Sequence, residues 1–119
     1  MRSIRGAVGI EQNTKESILS NTSQLLKQIL DENQLSVDDI CTIIFSATAD
    51  LTAAYPAIAA RDLGIFDASL LCVQEMPVEN SMSMCIRVLM TVNKEGCQKD
   101  SKHVYINGAE GLRPDLSKK

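Results

Sequence analysis

In CIRVLMTV, residues 85–92, one parity is apolar without a break (Ile86, Val88, Met90, Val92), while the other is mixed (Cys85, Arg87, Leu89, Thr91). A short apolar run can belong to a helix or a strand, and here the period decides. A repeat of two is that of a strand with one face on a core. The chain must therefore form a sheet with one dry face and one chemically mixed face, and Arg87 stands on the mixed one.

The remaining segments build around that sheet. Residues 2–10 alternate, with Ile4, Val8 and Ile10 on one parity and Arg5 and Ala7 on the other, which predicts a half-buried strand. Asn13 with Glu16 three residues later has the form of a helix N-cap, and Ile18, Leu25, Leu26, Ile29 and Leu30 then recur at helical spacing up to about Asn33. Ser36 and Asp39 cap a further short turn. Cys41–Thr48 is rich in β-branched residues and reads as a second strand. Pro56 and Gly64 bracket a short helix over Pro56–Leu63, since proline suits a first turn and glycine a C-terminal cap. Ser69–Glu75 and Lys102–Ile106 complete the strands; Gly108 and Gly111 weaken any continuation, and the final LRPDLSKK reads as an extended tail.

The resulting order predicts an α/β (α+β) layer: a mixed five-stranded sheet with helices packed on one face, in a single domain spanning residues 1–119. With no Trp, two Phe and two Tyr, the core must be mainly aliphatic, and self-association across the uncovered sheet face would add burial.

Several function classes are disfavoured. A formal charge of −3 and a pI near 5.1 give no electrostatic footprint for nucleic acid. The N-terminal MRSIRGAVGI lacks a signal-peptide core, and no apolar run reaches the ~20 residues needed to span a bilayer. Cys41, Cys72, Cys85 and Cys97 form no CxxC pair and have only His103 as a nitrogen companion, so reduced cytoplasmic thiols are expected and a zinc site is not.

Arg5, Arg87 and Tyr105 fall on faces away from the obvious core, and Glu75, at the end of the third strand, can join them. An acid beside two guanidiniums is expected to stay ionised, and planar guanidinium forks suit carboxylate ligands. Cys72 has the opposite parity to Glu75, so a regular strand separates them. On parity alone, two readings stand open: an anion site, or solvated arginines whose ion pair with Glu75 steadies an interface. By residue type Tyr105 is more often an edge-packing aromatic than a ligand contact, and His103 reads as a surface strand residue. No GxSxG, HExxH, P-loop or GxGxxG motif is present, and Glu75 has no second carboxylate at a useful spacing, so any chemistry here should need little proton transfer.

Taken together, RSIRGA, SATADL, AYPAIAAR, LCVQEM, CIRVLMTV and HVYINGAEGLRPDL resemble, in order and spacing, the monofunctional chorismate mutases of the trimeric, Bacillus-like, pseudo-α/β-barrel type, over about Arg2–Leu116. The resemblance implies a cytoplasmic homotrimer that converts chorismate to prephenate in phenylalanine and tyrosine biosynthesis. It implies an intramolecular Claisen rearrangement at clefts between subunits, without cofactor or metal. Arg87 would then bond the ether oxygen and a carboxylate, Arg5 and Tyr105 would bind carboxylate, and Glu75, assisted by Cys72, would accept from the ring hydroxyl. Tyr55, Ala57, Leu70 and Leu71 would line the cleft, Arg61 and Arg113 would attract the dianion, and Leu112 would close it. Two departures stand out: Ile58 replaces a lysine near the cleft mouth, and Gly108 and Gly111 replace bulkier residues in the last strand. The alternative is a non-catalytic trimeric module that binds small carboxylates in the same clefts.

Overall fold

A computed structural model of the chain describes residues 1–117, with Leu116 and Ser117 described by backbone alone. Lys118 and Lys119, which end the tail expected to be extended, lie outside the described residues. The elements are β1 (Arg2–Gly9), α1 (Lys15–Glu32), β2 (Ile40–Ala47), α2 (Ala57–Asp62), β3 (Ser69–Gln74), β4 (Cys85–Val92), β5 (Val104–Ile106) and α3 (Pro114–Ser117).

The five strands form one mixed sheet in the order β3-β2-β4-β1-β5. Central β4 runs antiparallel to both β1 and β2, and each outer pair, β2 with β3 and β1 with β5, is parallel. Helix α1 packs on β1 and β5 and α2 on β3, so the helices share one face, as the alternation requires. Ile4, Val8, Ile43, Phe45, Ile86, Val88 and Met90 from the sheet meet Ile18, Leu25, Leu26 and Ile29 from α1 in a single core. That core is aliphatic apart from Phe45, in keeping with the shortage of aromatic residues. No helix among the described residues is long and apolar enough to cross a membrane.

Three local expectations need correction. The N-cap of α1 is Thr14, whose Oγ1 accepts the Ser17 N–H at 3.1 Å. Asn13 instead reaches across to the 50s loop, where its Oδ1 accepts from the N–H groups of Thr52 and Ala53 at 2.9 and 3.0 Å. Strand β5 begins at Val104 rather than Lys102, because side chains occupy the edge of β1 just before it. The Gln98 carboxamide exchanges two 2.8 Å hydrogen bonds with the Ser3 backbone, and His103 Nδ1 accepts the Arg5 N–H at 2.9 Å. His103 is accordingly half-buried, not a surface strand residue.

Through Ser117 the tail is not extended either. Asn107 and Gly108 both take positive φ, 54° and 94°, and turn the chain away from the sheet. A 3-10 turn over Glu110–Leu112 and the short α3, opened by Pro114, then fold back beside β5. Gly64, with φ 89°, closes α2 as its position predicts.

Candidate active site

Strand register decides which side chains share the uncovered face. Ala7 lies opposite Arg87 on one side and Tyr105 on the other, while Ser46 flanks Arg87 from β2 and Val73 flanks Ser46 from β3. The next row on the same face is Leu71, Ile44, Leu89 and Arg5. Arg5, Arg87 and Tyr105 therefore lie on one surface, as parity required.

Glu75 joins them because the chain leaves the β3 ladder just after Gln74. Its N–H bonds the Ala47 carbonyl at 2.9 Å, and its Oε1 accepts from Ser46 Oγ at 2.5 Å and lies 3.5 Å from Arg87 Nε. Glu75, Arg87, Thr48, Met82 and Cys85 line a recess of about 210 Å³. Burial pushes the Cys85 thiol up to about 11, against the opposing pull of the Arg87 charge, so this sulfur stays a protonated packing group.

At the far end of the row, Tyr105 packs with Ala7, Cys85 and Ala109, and Leu112 of the folded-back tail lies against this cluster. Burial raises the Tyr105 pKa, and Arg5, Arg113 and Arg87, in that order, pull it back down. Three guanidiniums thus bear on one phenol that remains a hydrogen-bond donor at neutral pH. Arg113 is held in turn by Asp115, with Nη2 to Oδ2 at 2.9 Å and Nε to Oδ1 at 3.2 Å.

The remaining expected residues lie elsewhere and not all together, with Tyr55 and Cys72 in one cavity. Tyr55, Ile58, Cys72, Val73 and Gln74 line a second, larger cavity of about 640 Å³ at the C-terminal ends of β2 and β3, with the Ala47–Ala54 segment as its wall. Cys72 lies opposite Phe45 and packs toward the core, so it does not reach Glu75 within the chain. Leu70 packs toward the same core while Leu71 points out of the other face. Ala57 is buried at the start of α2, and Arg61 is exposed near its end. Thr48 is the residue common to both cavities.

Three contributors were not foreseen. Ser46, which orients Glu75, could be found only by knowing that β2 lies beside β4. Thr48 and Asp50 tie the loop to β4: Thr48 Oγ1 donates to Asp50 Oδ1 and accepts the Cys85 N–H at 3.1 Å, while the Asp50 carboxylate accepts the Met84 N–H at 3.1 and 3.2 Å. Met84 has φ 50°, an uncommon conformation without glycine, and this carboxylate holds it immediately before Cys85 and three residues before Arg87.

A surface on which Arg5, Arg87 and Arg113 outnumber the carboxylates of Glu75 and Asp115 can hold and polarise a multiply charged anion. The family model for chorismate mutase type I matches residues 1–116. The chain is 43% identical over 118 residues to chorismate mutase AroH of Bacillus subtilis (strain 168), spanning 98% of this chain and 93% of the relative. It is 42% identical over 117 residues to chorismate mutase AroH of Thermus thermophilus, spanning 98% and 96%. A solved chorismate mutase from Clostridium thermocellum superposes with a TM-score of 0.90 at 48% identity, covering 92% of this chain and 98% of that one. With its sheet, its guanidinium-lined face and its near-complete match in agreement, the chain belongs to the chorismate mutase type I family.

Proposed function

We propose that the chorismate mutase activity of this chain is carried by Arg87, Glu75 and Arg5, at sites completed by a neighbouring subunit of a homotrimer. The reaction breaks a C–O bond of chorismate as a C–C bond forms, giving prephenate without a covalent intermediate. Negative charge grows on the ether oxygen as the bond opens. Arg87, with its second contact to a substrate carboxylate, stabilises that charge, and the preorganised donor needs no solvent to rearrange. Arg5 and the Tyr105 hydroxyl hold carboxylate, and the Glu75 oxygen left free by Ser46 accepts from the ring hydroxyl. Leu112 and Arg113 close the site from the tail. The single observation carrying this reading is the placement of Arg87 3.5 Å from Glu75 on the same face as Arg5 and Tyr105.

The wall residues belong to the neighbouring subunit's contribution: Tyr55, Ala57, Arg61, Leu70, Leu71 and Cys72. Two facts support this. Cys72 faces away from Glu75 within one chain, and Leu71, Val73 and Leu89 are 56%, 43% and 42% exposed on the sheet face beside Arg5. Apolar side chains in register on a sheet are an apt surface for a second copy. The whole of residues 1–119 acts as one domain, and four free cysteines suit a cytoplasmic setting.

Subunit mixing tests the shared site. Arg87→Ala removes one half, and Ile58→Glu sets a like charge against the dianion in the other. After subunit exchange, mixed trimers regain activity at subsaturating chorismate, because about a quarter of the sites combine two intact halves. No gain over the separate variants would place each site within one chain. Anion binding without turnover by the unsubstituted protein would favour the carboxylate-binding module instead.

A further inference from the structure

Among the described residues that line the larger cavity, Lys15 alone carries a charge; its neighbours there are neutral, including Tyr55, Ile58 and Cys72. The ammonium has no acidic partner within ion-pair distance among the described residues, for the three ion pairs lie at Arg87–Glu75, Lys94–Asp39 and Arg113–Asp115. The backbone that carries this exposed side chain is fixed from two sides. Thr14 caps the helix directly before it, and Asn13 ties that first turn to the cavity wall through Thr52 and Ala53, with a third bond from Asn13 Nδ2 to Thr52 Oγ1 at 2.9 Å.

Local helix energetics do not account for a lysine here. Lys15 is the first residue of an 18-residue helix, where a cation meets the positive end of the macrodipole and is disfavoured. The same two charges add at the cavity mouth, where the favoured occupant is an anion. Ile58, on the facing α2, brings no charge of its own.

We propose that Lys15 is a substrate-attracting residue of the chorismate site, its ammonium drawing a carboxylate of the dianion into the larger cavity. This rests on the reading that the larger cavity forms the wall of the substrate cleft. The charge contributes to capture and does not touch the ether oxygen, so its signature is in KM and in salt dependence, with kcat held by Arg87 in the other half of the site.

The test is steady-state turnover of Lys15→Gln, followed by loss of chorismate absorbance at low and high ionic strength. Lys15→Gln keeps the length of the side chain and drops the charge. At low salt, KM rises about two- to fivefold, the range of an exposed ion pair, with kcat changed less than about twofold. At high salt the difference from the parent enzyme shrinks, because exposed charges are screened. Adding Ile58→Lys to Lys15→Gln brings KM back toward the parent value. An unchanged KM for Lys15→Gln at low salt, alongside a raised KM for Ile58→Glu, overturns the role of Lys15 while upholding the cavity. If neither substitution moves KM, the cavity is not part of the substrate site and both readings fall.

Discussion

On the helix-covered face of the sheet, Ile4, Val8, Ile43, Phe45, Ile86 and Met90 are fully buried; on the other parity of the same strands stand Arg5, Ser46, Arg87 and Tyr105 beside the exposed Leu71 and Leu89. Strand alternation alone separates the two sets, which come from adjacent positions along each strand. The covered face is a close-packed aliphatic jigsaw, although Arg2 Nε and Thr22 Oγ1 are buried without a hydrogen-bond partner among the described residues. The open face holds charges at a tolerable cost because water can solvate them. Substitutions on the first face should remove the fold, and those on the second should remove catalysis or assembly from an intact fold.

The largest expected effect is on the covered face. Phe45→Ala removes the one aromatic ring in the core and should cost about 3–5 kcal/mol, read as a lowered urea midpoint at unchanged slope. A loss below about 1 kcal/mol would mean that the core is not centred where the structure puts it.

On the open face, Arg87→Ala should lower kcat by about a hundredfold or more, on the order of 3 kcal/mol of transition-state stabilisation. Folding stability should change by less than about 1 kcal/mol, because its pair with Glu75 is partly exposed. Arg87→Lys should not restore the rate, since a point charge cannot serve the ether oxygen and a carboxylate with one rigid fork. Near-parental kcat in Arg87→Ala would assign the arginine to structure and dissolve the contrast between faces.

A smaller effect should separate assembly from both. Leu71→Asp puts a charge into the apolar row of β3, β2 and β4, where Leu71 lies opposite Ile44 and Ile44 opposite Leu89. Burying a leucine contributes roughly 1.5–3 kcal/mol, so the variant should sediment as a smaller species while keeping the parent's circular dichroism. A variant that retained the parent's mass and activity would show that this row is not an interface.

What could be read before the structure was known follows the same division. Period-two runs predicted β1 and β4 and placed Arg5, Arg87 and Tyr105 on one face, because alternation is a local property of the chain. Sheet order is not local. Nothing in HVYI states that β5 lies beside β1, so Ser46 under Glu75 and the side chains of Gln98 and His103 along β1 went unseen. The irregular pairing between Ile40 and Thr42 is equally silent, although it lets Cys41 turn outward while Ile40 and Ile43 both face the core. Asn13 misled because capping and loop-tying use the same side-chain oxygen. The tail misled because glycine predicts an interruption without saying where the chain goes next.

The smallest effect lies at the rim between the two faces. His103 Nδ1 accepts the Arg5 N–H, a bond that only an imidazole unprotonated at that nitrogen can make. Burial first, then the charges of Arg5 and Arg113, lower its pKa, so the folded state binds this proton less readily than the unfolded chain. Stability from this group is therefore complete above its ordinary value near 6.5 and is lost as pH falls through the lowered folded value. Asp100 and Asp115, both lowered by their hydrogen bonds, lose their contributions only at the more acidic pH of carboxylate titration. Urea midpoints between pH 5 and 7.5 should consequently fall on the acid side in the parent. In His103→Asn, whose amide oxygen can take the place of Nδ1 without titrating, the slope should flatten. A parallel fall in both proteins would assign the pH dependence to other groups and leave Arg5 positioned by the strand ladder alone.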